Sequence, residues 1–398
     1  MSPQIAQVVK ETIDSLDREL REISLKIHDN PELGNREFKA HDLLTDYLKK
    51  KGFKVTRHAV GLETAFIAEY SNGGQGRRVG FCSEYDALPG VGHACGHNLI
   101  AISGLACAIA TKALLEQHLI EGSVVLFGTP AEETGNGKIE FVQRGEVQNR
   151  VDFAMMLHPF AMDGVYSIML ALDSLTVEFF GRASHAGMAP WEGVNALDAL
   201  MESWNNYSML RQQLLPTDRL HGIITSGGKS ANVIPDYAGA RFYARALTRN
   251  RLAELKVKLE NCFKAGAKAT GCQLKLTWAP TGPVEDVFTN DALAKCYTEC
   301  IQKEGIELPP REKQENITTG STDMGNISYV VPAIHPGFGI GTTAANHTVE
   351  FTKAAGTEEA HKNTLRAARA LVNTAAAVFL DDKLFHQVVA DFKKGKPQ

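Results

Sequence analysis

Ile5, Val8, Val9, Ile13, Leu16, Leu20, Ile23 and Ile27 recur at helical spacing with charged residues between them. This predicts an amphipathic first helix. A second helix is expected over 37–51, with Gly52 as its stop. Alternating or short apolar runs at 64–69 and 78–83 predict strands. From 95 to 119 the pattern is helical and nearly all apolar on one side. Positions 123–127 and 152–157 then read as buried strands. Strands alternating with helices predict a sheet sandwiched between helical layers, an α/β/α architecture.

The rhythm changes further along. Strand-like runs fall at 173–181, 220–225, 240–247 and 272–278, and helical ones at 194–214 and 251–269. That order is βαββαβ, which predicts a compact ferredoxin-like unit. Helical spacing returns at 291–304, and a long Ala-rich helix is expected over 357–380. One domain inserted into another accounts for this order. We expect a catalytic domain built from 1–171 and 285–398, with 172–284 inserted between its parts. No internal repeat or low-complexity tract is evident.

Composition narrows the function classes. Of 398 residues, 44% are hydrophobic and 22% charged, the balance of an ordinary soluble globular protein. A net charge of −4 gives no basis for nucleic acid or an anionic membrane as partner. Seven cysteines occur without a CxxC pair, and an odd count argues against a disulfide framework. A reducing, cytoplasmic setting is expected. Positions 1–10 lack a basic-then-apolar signal pattern, and the apolar run 99–110 looks too short to span a bilayer.

Three segments concentrate groups that bind metals. The first holds Glu84 and Asp86, then His93, Cys95 and His97. The second is Pro130-Ala131-Glu132-Glu133, and the third Leu157-His158-Pro159. Each falls where a strand is expected to end, and that edge of an open α/β sheet is where ligands bind. A helix N-terminus and a cation each lower a thiol pKa, so Cys95 can serve as a thiolate. Thiolate, imidazole and carboxylate together suit zinc and related metals. With Glu133 on a metal, Glu132 is free to act as general base. His347, in a Gly/Thr/Ala-rich loop, can close the site. Taken singly each feature has a bland reading: a packed cysteine, a solvated acidic pair, a His-Pro turn. Their arrival together, each after an apolar run, favours a metal site.

These motifs resemble the M20 metallopeptidase and amidohydrolase family over nearly the whole chain. The likeness is greatest to the group of the peptidase M20 domain-containing protein 2 (aminoacylase-1-like protein 2) and the aminobenzoyl-glutamate hydrolase. Glu84-Tyr85-Asp86-Ala87-Leu88-Pro89 followed by His93-Ala94-Cys95-Gly96-His97-Asn98 carries it, and Pro130-Ala131-Glu132-Glu133 adds support. The resemblance implies two divalent metals, zinc foremost, with manganese, cobalt and nickel also suited. Cys95, His97, Glu133, His158 and His347 would be the ligands, Cys95 bridging and Asp86 supporting from behind. Glu132 falls on the general base. Glu84 stands where peptidase branches carry a histidine, so it is left out of the ligands. The inserted unit matches a lid or dimerisation domain, which implies a homodimer. There His185, in Gly181-Arg182-Ala183-Ser184-His185-Ala186, matches a histidine that polarises the substrate carbonyl, often in the partner subunit's site. Asn232 and Arg245 match positions that hold a substrate carboxylate, and 320–326 resembles a pocket loop in which Asp323 is equally readable as a turn residue.

The expected activity is hydrolysis of an amide bond in a small N-acyl amino acid or dipeptide-like molecule by metal-activated water. Two other readings stand beside it. The same metals could promote amide formation or rearrangement in a biosynthetic pathway, or the fold could be kept as a non-catalytic binding protein.

Overall fold

The computed structural model describes residues 3–317 and 320–395. The chain divides into two compact units, Met1–Ile168 with Val287–Gln398, and Met169–Asp286. The first segment carries strands β1 (Lys54–Arg57), β2 (Phe66–Ser71), β3 (Arg77–Ser83), β4 (Gly122–Gly128), β5 (Phe153–Met155) and β6 (His158–Phe160). The inserted segment carries β7 (Ala171–Phe180), β8 (Arg219–Ser226), β9 (Tyr237–Ala246) and β10 (Gln273–Trp278). The last segment adds β11 (Ala333–Ile334) and β12 (Gly337–Gly339).

In the first unit six strands form one mixed sheet, ordered β1-β2-β4-β3-β5-β11. β1, β2 and β4 pair antiparallel, while β4, β3, β5 and β11 run parallel. Alternation along each strand feeds two cores. Phe66, Val79, Phe81, Val124, Leu126 and Phe153 face one, with helices Pro3–His28, His97–Glu116 and Glu358–Leu380. Ile67, Cys82, Val125, Phe127 and Ala154 face the other, with Phe141, Val147 and Ile327. The period of two therefore places a helical layer on each face.

His97–Glu116 is buried almost throughout. By length and composition it is long and apolar enough to cross a membrane, which corrects the shorter estimate from 99–110, yet 89% of that window is buried inside the protein. Gly104 allows its close approach to β3, since a Cβ there would come within 2.1 Å of Ser83 Oγ. The parallel strands β3, β4, β5 and β11 all end at one sheet edge. The residues that follow them, Glu84, Glu132, His158 and His335, are thus delivered to that edge.

The inserted unit has the order βαββαβ and an antiparallel sheet β10-β7-β9-β8. Leu175, Val177, Phe179 and Phe242 pack with Leu200, Leu255, Leu259 and Phe263 of its two helices, Ala196–Leu210 and Arg249–Thr270. Asn195 caps the first by accepting from the amides of Leu197 and Asp198. Thr248 caps the second through the Arg251 amide.

Several elements differ from expectation. β1 is an exposed edge strand, too polar to announce itself. β6 exists because His158, Pro159 and Phe160 pair with β12, a distant partner, where the sequence announced no strand beyond 152–157. The helix Asp382–Gly395 buries only Val388 and was not foreseen.

Candidate metal centre

Cys95 lies just before the helix that starts at His97, with Gly96 in the left-handed conformation between them. That reversal sends the thiol and the imidazole to a common point. Cys95 Sγ is 3.4 Å from His158 Nε2. His97 Nδ1 donates to Asp86 Oδ1 at 3.0 Å, which leaves its Nε2 lone pair for a ligand. His158 Nδ1 donates to the Pro159 carbonyl at 3.0 Å, with the same consequence for its Nε2. Across the site, His347 Nε2 lies 3.2 Å from Glu133 Oε1. Glu132 Oε2 and Glu133 Oε1 are each 4.0 Å from His97 Nε2.

Among the described residues the donor atoms sort into three groups: Glu84, His97 and Glu132 form one, and the other two share the thiol. Cys95, His97 and His158 form one, and Cys95, Glu133 and His347 the other, each with its donors within 4.8 Å of one another. A sulfur shared between two N/O sets could bridge a pair of cations. His97 Nε2 and Glu133 Oε1 are buried and make no hydrogen bond. Such atoms are costly unless something completes them, and a divalent cation would do so. The residues present therefore fit divalent metals.

Charge supports that fit. Burial opposes a charge on His97, but Asp86 and Cys95 beside it hold its pKa well above the ordinary histidine value. A cation bound at Nε2 would take the place of that proton. Burial pulls His158 the other way, far below the usual range, so its ring is neutral and ready to coordinate. Burial also pushes the Cys95 thiol up to about 12, against the pull of His97. The helix terminus alone does not ionise it, as the sequence had suggested it could help do. A bound cation would supply the further stabilisation that a thiolate here needs.

Asp86 ties the halves together, since its other oxygen accepts the Glu133 amide at 3.0 Å. Asn346 donates to the Pro159 carbonyl at 3.1 Å and reaches Cys95 Sγ at 3.8 Å. Sequence reasoning missed Lys138. It is fully buried, donating to Glu84 Oε1 and, at 2.6 Å, to Asp323 Oδ1. One oxygen of Glu84 is thus already committed to a cation, although Oε2 stands 3.3 Å from His97 Nε2. Asp323 does sit in a turn, just before the short helix Met324–Ser328, and its side chain is an ion-pair partner of Lys138. His335, another residue not foreseen, is buried with its ring 5.4 Å from that of His158.

The model of the peptidase family M20/M25/M40 matches residues 80–374. The chain belongs to this family. The M20 hydrolase is 42% identical over 394 residues to the Xaa-Arg dipeptidase of Mus musculus, covering 96% of this chain and 91% of that one. It is 28% identical over 469 residues to a p-aminobenzoyl-glutamate hydrolase polypeptide of Escherichia coli, covering 98% and 96%. Among solved structures, a dinuclear metal binding peptidase from the M20 family of Bacillus subtilis superposes with a TM-score of 0.69 at 20% identity, over 92% of this chain and 99% of that one. The chain is a metal-dependent M20 hydrolase with a mixed-sheet α/β fold.

The remaining predicted residues of this M20 chain lie in the inserted unit. His185 is exposed, and its Nδ1 accepts from the amides of Gly187 (3.2 Å) and Met188 (3.1 Å). The ring proton is therefore on Nε2, which is left as a donor. Asn232 is its neighbour, for the Ala186 amide donates to the Asn232 carbonyl at 2.9 Å and His185 bridges Val233. Arg245 sits near the far end of β9, which begins at Tyr237. At strand rise that end is on the order of 25 Å away. Strand geometry thus puts Arg245 towards the end of β9 opposite the one that Asn232 precedes.

Proposed function

We propose that this protein hydrolyses the C–N bond of a dipeptide or N-acyl amino acid, and that dipeptides ending in arginine or another basic residue are its first candidates. The likeness to an Xaa-Arg dipeptidase over nearly the full chain supports that substrate class. The observation that carries the chemistry is the Cys95 thiol shared by two donor groups beside Glu132. Cys95, His97 and His158 would hold one cation, and Cys95, Glu133 and His347 the other, zinc being the preferred metal.

When bound, the ions supply a water of lowered pKa and polarise the scissile carbonyl. Glu132 takes the proton from the attacking water and returns it to the departing amine nitrogen. Burial, with Glu84, Glu133 and Asp323 nearby, raises the proton affinity of Glu132. That suits a group that must hold a proton between two steps. Asp86 keeps the His97 ring oriented while this happens. His185, with its proton on Nε2, is assigned to the oxygen that gains charge. Asn232 beside it would bind the same substrate, with Arg245 acting on a different group or from a different copy.

A homodimer through the inserted unit fits this assignment. β8 is a sheet edge whose Ile223 and Ile224 are 63% and 42% exposed, an edge that a second copy could cover. The free cysteines support a reducing, cytoplasmic setting. The test is Glu132→Ala assayed by mass spectrometry against a panel of dipeptides and N-acyl amino acids. Turnover should fall by about 10²–10⁴, with metal content near wild type. Undiminished cleavage of the preferred substrate would remove Glu132 from the role.

A further inference from the structure

Glu37 precedes the helix Phe38–Lys50, yet its side chain is buried rather than capping that helix. Both its oxygens are engaged. Oε1 accepts the Ala131 amide at 2.8 Å, and Oε2 accepts the Thr64 hydroxyl at 2.7 Å. Burial, with Asp86 nearby, raises its pKa to about 7. A buried acid is expensive to keep, so its retention asks for a reason.

Ala131 supplies one. Its φ is +57°, a left-handed conformation that is unfavourable for any residue with a Cβ. Its carbonyl accepts from the amides of Gly135 and Asn136, both at 2.7 Å. Gly34 and Gly135 enclose it, since a Cβ on either would come within 2.9 Å of the Ala131 Cβ. The residues that leave this strained turn are Glu132 and Glu133. Two buried carboxyl groups hold it from outside, Glu37 on the Ala131 amide and Asp86 on the Glu133 amide.

We propose that Glu37 is a positioning residue whose carboxyl clamps the Ala131 amide and so holds the left-handed turn that aims Glu132 and Glu133. This rests on the reading of Glu132 as general base and Glu133 as ligand. Without the clamp the Ala131 N–H is left buried and unpaired, and the turn loses one of its two external ties. Small displacements of reacting groups are costly, so the effect should fall on turnover more than on substrate binding.

The test compares Glu37→Met, which fills the volume without an acceptor, with Glu37→Gln, which keeps an acceptor oxygen. Thr64→Val serves as a control that leaves the Ala131 contact intact. In metal-loaded enzyme, Glu37→Met should lower kcat roughly 10–100-fold and weaken the cation held by Glu133 and His347 about tenfold, as loss of a supporting partner does. KM should stay within about threefold and Glu37→Gln should recover most of the kcat, the division expected of misaligned groups rather than lost binding. Wild-type kcat in Glu37→Met, no recovery in Glu37→Gln, or an equal loss in Thr64→Val would each overturn the proposal. Should Glu37→Met not fold, Glu37→Gln still decides, because a loss as large as that of Glu132→Ala contradicts it. Glu132→Ala run alongside separates the two ideas. If that variant stays active, the base assignment fails, and Glu37 is then judged by cation affinity alone.

Discussion

The two units treat polar groups in opposite ways. In the inserted unit, Asp218 and Asp173 are buried but pair with Arg251 and Lys256, which remain partly exposed. Its helices start at ordinary caps. In the first unit, Glu84, Lys138 and Asp323 have no exposed side-chain surface and pair with one another. Every non-glycine residue with positive φ among the described residues belongs to that unit, Ala131 and His347 included. The first unit keeps ordinary caps at Asn290, Thr348 and Thr357, but departs from local rules at this buried ion-pair cluster and at its left-handed residues. Broken rules held in place by their surroundings mark where function sits.

Substitutions in each unit put this contrast to the test. The largest stability loss is expected from Lys138→Met, which strands two buried carboxylates. Unfolding in urea should show a loss of about 3–5 kcal/mol. Lys256→Met, in the inserted unit, should cost clearly less because that ammonium is partly solvated. Equal losses would erase the distinction. His185→Ala comes next. It should lower kcat by roughly 10²-fold while metal content measured by mass spectrometry is unchanged. If metal is lost as well, the separation of chemistry between the units fails. If His185 acts across a dimer, mixing that variant with Glu132→Ala should restore some activity. The smallest effect belongs to Thr248→Ala, a cap with no chemical task. It should cost about 1 kcal/mol in thermal or urea unfolding and leave kcat intact.

The same contrast explains what the sequence made legible. The inserted unit's order could be read directly, because its strands alternate and its helices keep their period. The site's ligand candidates were legible because Cys95 and His97, and Glu132 and Glu133, are neighbours in sequence. Their supports were not. Lys138 reads as a surface lysine until the fold brings Glu84 and Asp323 around it. Glu37 reads as a helix-start acid until the fold places Ala131 against it. β6 was invisible because its partner, β12, lies far along the chain. Asn232 and Arg245 were grouped by motif likeness, and only strand geometry separated them. Local pattern predicts elements, whereas tertiary pairing decides which polar groups meet.

The sulfur of Cys95 belongs to both thiol-containing donor groups. Cobalt(II) titration of the metal-free protein, followed by thiolate-to-cobalt charge-transfer absorption, tests this most directly. Two ions should bind per chain, with the band lost in Cys95→Ser and retained in Cys82→Ala. A band that survives Cys95→Ser, or wild-type protein that binds no cobalt, would contradict it.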